Sequence, residues 1–124
     1  MHRPLALVFY EKLLPGTQVV NRLHDLKYLV KVLPDAHRLV DHVKEARPLV
    51  LIVDLDAVSH NVCEAVAELR GHPDTRHVPV IGFTTRLDDA TVAGAAQAGV
   101  SLCVGDAAIL SHLRQLLDQV LTVE

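Results

Sequence analysis

Five short apolar runs separated by stretches of helical period constrain this chain more than any single motif. Residues 5–10 (LALVFY) and 49–55 (LVLIVDL) are rich in branched side chains and lack strict alternation, as expected of strands covered on both faces in a parallel sheet. Residues 27–33 (KYLVKVL) alternate more and predict a strand nearer a sheet edge. Residues 78–83 (VPVIGF) carry a proline near the strand start, where a missing N–H is tolerated, and residues 99–104 (GVSLCV) supply the fifth run.

Between these runs the period changes. Residues 35–46 (DAHRLVDHVKEA) predict a helix capped by Asp35, with Ala36, Leu39, Val40 and Val43 on one face. Residues 59–71 (SHNVCEAVAELRG) predict a second, capped by Ser59, burying Val62, Ala65, Val66 and Leu69, and ended by Gly71. Residues 87–99 (LDDATVAGAAQAG) predict an alanine-rich helix whose small side chains permit close approach to the sheet. The first helix runs from Leu13 or Pro15 to Asp25, with Val19, Val20 and Leu23 inward and a start disturbed by Pro15 and Gly16. A last helix follows Asp106 as its cap and turns Ile109, Leu113, Leu116 and Val120 inward. It carries a second stripe, Leu110, Leu117 and Leu121, that reads either as a wide core-facing arc or as a partner or dimer surface.

Strand and helix thus alternate five times over one domain, residues 1–124. Right-handed crossovers place helices on both faces of a parallel sheet, and five strands cannot close an eight-stranded barrel, so the expected fold is an open α/β three-layer sandwich. Ligands or reactions then belong at the carboxyl ends of the strands. Those ends offer Tyr10 and Glu11, Pro34 and Asp35, Asp54 and Asp56, Thr84 and Thr85, and Gly105 and Asp106. Asp54 can meet an incoming phosphate, Glu11 can share a divalent cation with it, and Thr84 can donate to a phosphoryl oxygen.

Composition narrows the partners. Twelve Lys and Arg against fifteen Asp and Glu give a net charge of -3, and two Phe, two Tyr and no Trp make few stacking platforms, so no direct nucleic-acid binding is expected. Cys63 and Cys103 form no disulfide framework, the amino-terminal run does not resemble a secretory signal, and no apolar stretch approaches membrane-spanning length. A cytoplasmic protein without a membrane partner is expected.

The pieces RPLVLIVDLDA, VPVIGFTT and AAQAGVSLCVGDA resemble the receiver domain of two-component response regulators (CheY-like), and the resemblance spans residues 3–121. It implies a flavodoxin-like sheet of five parallel strands in the order 2-1-3-4-5 with five helices, Asp54 as the phosphoacceptor and Thr84 as the switch hydroxyl. It also implies a histidine kinase as a partner and a face made of the fourth helix, fifth strand and fifth helix for homodimers or docking. The departures from the family are specific. Phe9 and Tyr10 stand where two magnesium-holding acids are usual and only Glu11 follows; Asp106 and Ala107 replace a Lys-Pro pair; Val58 replaces a proline; Cys103 replaces an aromatic residue. Asp106 adds like charge near other acids where a lysine would have neutralised it.

The expected function is therefore a stand-alone receiver-like signalling protein, a pseudo-receiver acting by protein contacts, without conventional Mg2+-dependent aspartyl phosphorylation, without enzymatic turnover and without a cofactor. One alternative is an active phosphorelay receiver phosphorylated on Asp54, with Mg2+ held by some of Glu11, Asp54, Asp56 and Asp106. Another is a small-ligand or metal-binding domain of the same fold. Its candidates are weak: His60, Cys63, His72 and His77 lack the tight paired spacing of zinc sites, His37 and His42 straddle more than one turn, and no glycine-rich phosphate loop follows the first strand.

Overall fold

The computed structural model describes residues 3–58 and 61–121. Five strands, β1 (Leu5–Phe9), β2 (Leu29–Val32), β3 (Val50–Asp54), β4 (Val80–Thr84) and β5 (Leu102–Gly105), alternate with α1 (Leu13–Asp25), α2 (Leu39–Ala46), α3 (Val62–Arg70), α4 (Asp89–Ala98) and a final pair, α5 (Asp106–Ser111) and α6 (Leu113–Leu121). All strand pairs are parallel and the sheet order is β2-β1-β3-β4-β5. The flavodoxin-like, CheY-like sandwich expected from the sequence is the fold observed, with six helices among the described residues in place of five.

Period-two alternation within each strand divides the interior into two cores. Leu7, Phe9, Leu51, Val53 and Val80 face α2, α3 and Ala95 of α4, while Ala6, Val8, Ile52, Ile81 and Phe83 face α1, α5 and α6. The central strand β3 is buried along its whole length, Asp54 included. By contrast, β2 has one neighbour and mostly exposed side chains, as its alternating sequence predicts.

Several helix boundaries differ from expectation. Asp35 does not cap α2: Ala36 tucks into the core, Arg38 turns into the left-handed region (φ 60), and the helix starts at Leu39 with Arg38 Nε paired to Asp41 Oδ2 at 3.1 Å. Asn61 caps α3, accepting the Glu64 N–H at 3.0 Å; Ser59, the expected cap, lies outside the described residues, as does His60. The start of α1 is disturbed as expected: Leu14 is extended, and the Tyr10 ring lies where a side chain on residue 16 would go, which only glycine allows. The alanine-rich α4, capped by Asp88, buries only Ala95.

The final helix breaks at His112 (φ -126), and Leu113, Leu117 and Val120 then form the inward stripe of α6. Leu117 is 3% exposed, and Leu110 and Leu121 pack against the same core. Leu117 thus belongs to the core-facing arc and not to an outward surface, while Leu110 and Leu121 are half-buried beside it.

Candidate functional site

The register of the sheet explains why strand-end residues from distant parts of the chain meet. Phe9 pairs with Val53, Asp54 with Phe83, and Thr84 with Gly105, so residues 10–12, 54–56, 84–86 and 105–106 emerge together at the carboxyl edge. The loop after β1 folds over the end of β3. Its backbone N–H groups at Glu11 and Lys12 both donate to Asp54 Oδ2 at 3.0 Å, and the Asp56 N–H donates to Asp54 Oδ1 at 2.9 Å. Asp54 is 0% exposed. Three N–H donors on one buried carboxylate make it a staple between β1 and β3 as well as a strand-end acid.

Asp56 is the more accessible acid. Its Oδ1 accepts from Thr84 Oγ1 at 2.6 Å, and its Oδ2 accepts from the Thr85 N–H at 2.8 Å, Thr85 Oγ1 at 2.9 Å and Lys12 Nζ at 2.7 Å. Thr84 in turn accepts the Arg86 N–H at 2.9 Å, and its hydroxyl is spent on Asp56 rather than Asp54. Thr85 therefore joins the acid cluster, while Asp88 caps α4. Burial pushes the Asp56 carboxyl up, but the hydrogen bonds from Lys12, Thr84 and Thr85 outweigh it and hold the group well below the ordinary carboxylate range.

Lys12 closes the cluster. Its Nζ lies 2.7 Å from Asp56 Oδ2, 2.9 Å from Asp106 Oδ2 and 3.7 Å from Asp54 Oδ1, and 5.4 Å from the centroid of the Phe83 ring. Burial pulls the ammonium down, but hydrogen bonds to Asp56 and Asp106 and the charges of Asp54 and Asp106 outweigh it, so its pKa is raised. Asp106 is the first residue of α5 rather than its cap, and its Oδ1 is a buried atom without a hydrogen-bond partner. The expectation that the pocket lacks cationic help is corrected by this geometry. One ammonium against three carboxylates still leaves two formal negative charges.

Of the expected site residues, Asp54, Asp56, Asp106 and Thr84 converge. Glu11 takes another direction: its backbone N–H serves Asp54, while its Oε1 accepts the Val58 N–H at 2.8 Å and ties the loop after β1 to the loop after β3. Val58 itself is 92% exposed. Lys12 has no motif to announce it. The available signal was charge balance, since a strand-end acid at position 106 beside Asp54 and Asp56 demands a cation, and position 12 lies one residue past the strand-end pair Tyr10 and Glu11.

Elsewhere the expected metal and redox candidates gain little. Among the described residues, no group of three or more His, Cys, Asp and Glu side chains is placed to hold a metal ion. Burial raises the thiols of Cys63 and Cys103, which lowers their thiolate content. No helix among the described residues is long and apolar enough to cross a membrane.

No protein-family model and no curated protein matches the sequence. Solved structures do. A protein from Chloroflexus aurantiacus J-10-fl described as a response regulator superposes with a TM-score of 0.89 at 16% identity, over 98% of this chain and 100% of that one. The receiver domain of a sensor histidine kinase from Pseudomonas aeruginosa PAO1, with a magnesium ion coordinated in its active-site cleft, gives 0.86 at 19% identity over 98% and 100%. The chemotaxis protein CheY4 of Vibrio cholerae gives 0.85 at 18% identity over 96% and 99%. The chain has the receiver-domain fold.

Proposed function

We propose that this chain is a receiver-type signalling module that works through contacts with a protein partner in a two-component pathway. The observation that carries the reading is the convergence of Asp54, Asp56, Thr84, Lys12 and Asp106 at the carboxyl edge of a receiver-fold sheet. Exposed apolar residues around this edge, Leu13 and Leu14 at the start of α1 and Val58 and Leu87 in the neighbouring loops, suit a protein surface better than a small ligand. Enzymatic turnover forms no part of this reading.

For the chemistry at Asp54, the comparisons support phosphoryl transfer: the fold matches are receivers, one with magnesium in its cleft, and Lys12 supplies a cation beside the acceptor. The second reading is a phosphorylation-independent module, and the burial of Asp54 under three N–H donors favours it. Acetyl phosphate and magnesium separate the two. In transfer, an Asp54 carboxylate oxygen bonds to phosphorus, the bond from phosphorus to the acetyl oxygen breaks, and acetate leaves with the electron pair. Intact mass then shows a labile gain of one phosphoryl group that is absent in Asp54→Asn. An unchanged mass after prolonged exposure leaves the phosphorylation-independent module standing.

A further inference from the structure

We infer that the Lys12 ammonium is the resident cation of this site, seated in place of a divalent ion. The inference stands on the geometry of the cluster and is independent of whether Asp54 accepts a phosphoryl group.

Counting lone pairs makes the case. A carboxylate offers about four acceptor positions. Asp56 Oδ2 takes three donors, the Thr85 N–H, Thr85 Oγ1 and Lys12 Nζ, while Oδ1 takes Thr84 Oγ1 and keeps one position. Asp54 holds three backbone N–H donors and faces Lys12 with what remains. Asp106 gives Oδ2 to Lys12 and retains one open, buried oxygen, Oδ1. A magnesium ion needs several oxygens at about 2.1 Å in near-octahedral array, and the cluster offers no such set while the ammonium is seated. An ion bound to Asp56 Oδ2 at that distance would also stand within about 5 Å of Nζ, where like charge repels it.

The same geometry says what happens without the ammonium. Oxygens of Asp56 and Asp106 that now share one nitrogen lose their common donor, in a cleft whose formal charge rises from two to three negatives. Replacing Lys12 with a neutral side chain of similar length should therefore create a divalent-ion site.

The test is a magnesium titration at constant ionic strength of wild type, Lys12→Met and Lys12→Arg, followed by the amide 1H–15N shifts of Glu11, Asp56 and Asp106 and by thermal unfolding. Wild type and Lys12→Arg should show no saturable shifts and no change in Tm at millimolar magnesium. Lys12→Met should show saturable shifts at these amides, an apparent affinity about tenfold or more above wild type, and a Tm that rises with magnesium. Saturable binding to wild type with an affinity near that of Lys12→Met overturns the inference, and so does a Lys12→Met protein indifferent to magnesium. If Lys12→Met is unfolded without the ion, recovery of the fold on adding magnesium supports the inference and failure to recover overturns it.

Discussion

The two ends of this sheet are each tied by one long cationic side chain, and the ties differ in kind. At the amino end, Arg70 at the close of α3 spans the loop before β4 and the turn before β5. Its Nε and Nη2 donate to the Gly99 carbonyl at 2.9 and 2.7 Å, and its Nη1 donates to the carbonyls of Arg76 and Val78, both at 2.7 Å. Gly99 (φ 107) is required there: a side chain would strike the Arg70 side chain, and the left-handed backbone suits only glycine. At the carboxyl end, Lys12 faces three carboxylates. A guanidinium bonded to neutral carbonyls satisfies acceptors and leaves no strong field among them. An ammonium among carboxylates leaves charge in excess at an opening, and that is where ions, protons and partners can act.

If this contrast is right, the largest loss of stability follows Asp54→Ala, which strands three N–H donors and removes one charge from Lys12. A loss of roughly 3 kcal/mol or more is expected in urea unfolding; a loss below about 1 kcal/mol would mean that the loop after β1 does not depend on the buried carboxylate. Next comes Arg70→Met, expected to cost about 2–3 kcal/mol through four charge-assisted bonds to carbonyls. With no carboxylate partner in that set, its cost should be the same in low and high salt. A cost that falls as salt is added would break the distinction between the two ends.

The difference between the ends also marks how far the sequence could be read. Strands buried on both faces announce themselves because nothing polar is tolerated along them, and the topology rule then brings Asp54, Thr84 and Asp106 to one edge. What reaches across that edge is set by register and side-chain length. Lys12 meets residues 44 and 94 positions away, and Thr84 spends its hydroxyl on Asp56. The break at His112 has no Pro or Gly to signal it, and the late start of α2 follows from seating Ala36 in the core, a tertiary demand that overrides the local cap at Asp35. Arg70 was equally silent, since its partners are carbonyls, which every residue carries.

The smallest expected effect is a pH dependence confined to the carboxyl end. Burial raises the Asp56 carboxyl, but bonds from Lys12, Thr84 and Thr85 outweigh it and depress the folded-state pKa below the ordinary 3.8. A depressed carboxyl contributes stability that is fully present above its unfolded value and is lost as pH falls from there toward the folded value. Asp56→Asn removes this contribution, so its deficit relative to wild type should be full at pH 7 and pH 5 and should shrink below about pH 4. Lys12 behaves oppositely: its raised pKa keeps the ammonium charged through that window, with its own contribution lost only as pH climbs through a value above 10.5. Arg70 stays protonated throughout and has no acid in its bonding set, so the Arg70→Met deficit should be level from pH 7 to pH 3. Urea unfolding of the two variants and wild type at pH 7, 5 and 3 decides the matter. An Asp56→Asn deficit as large at pH 3 as at pH 7 would show that Asp56 holds the edge by shape alone, and the charge-based contrast between the two ends would fail.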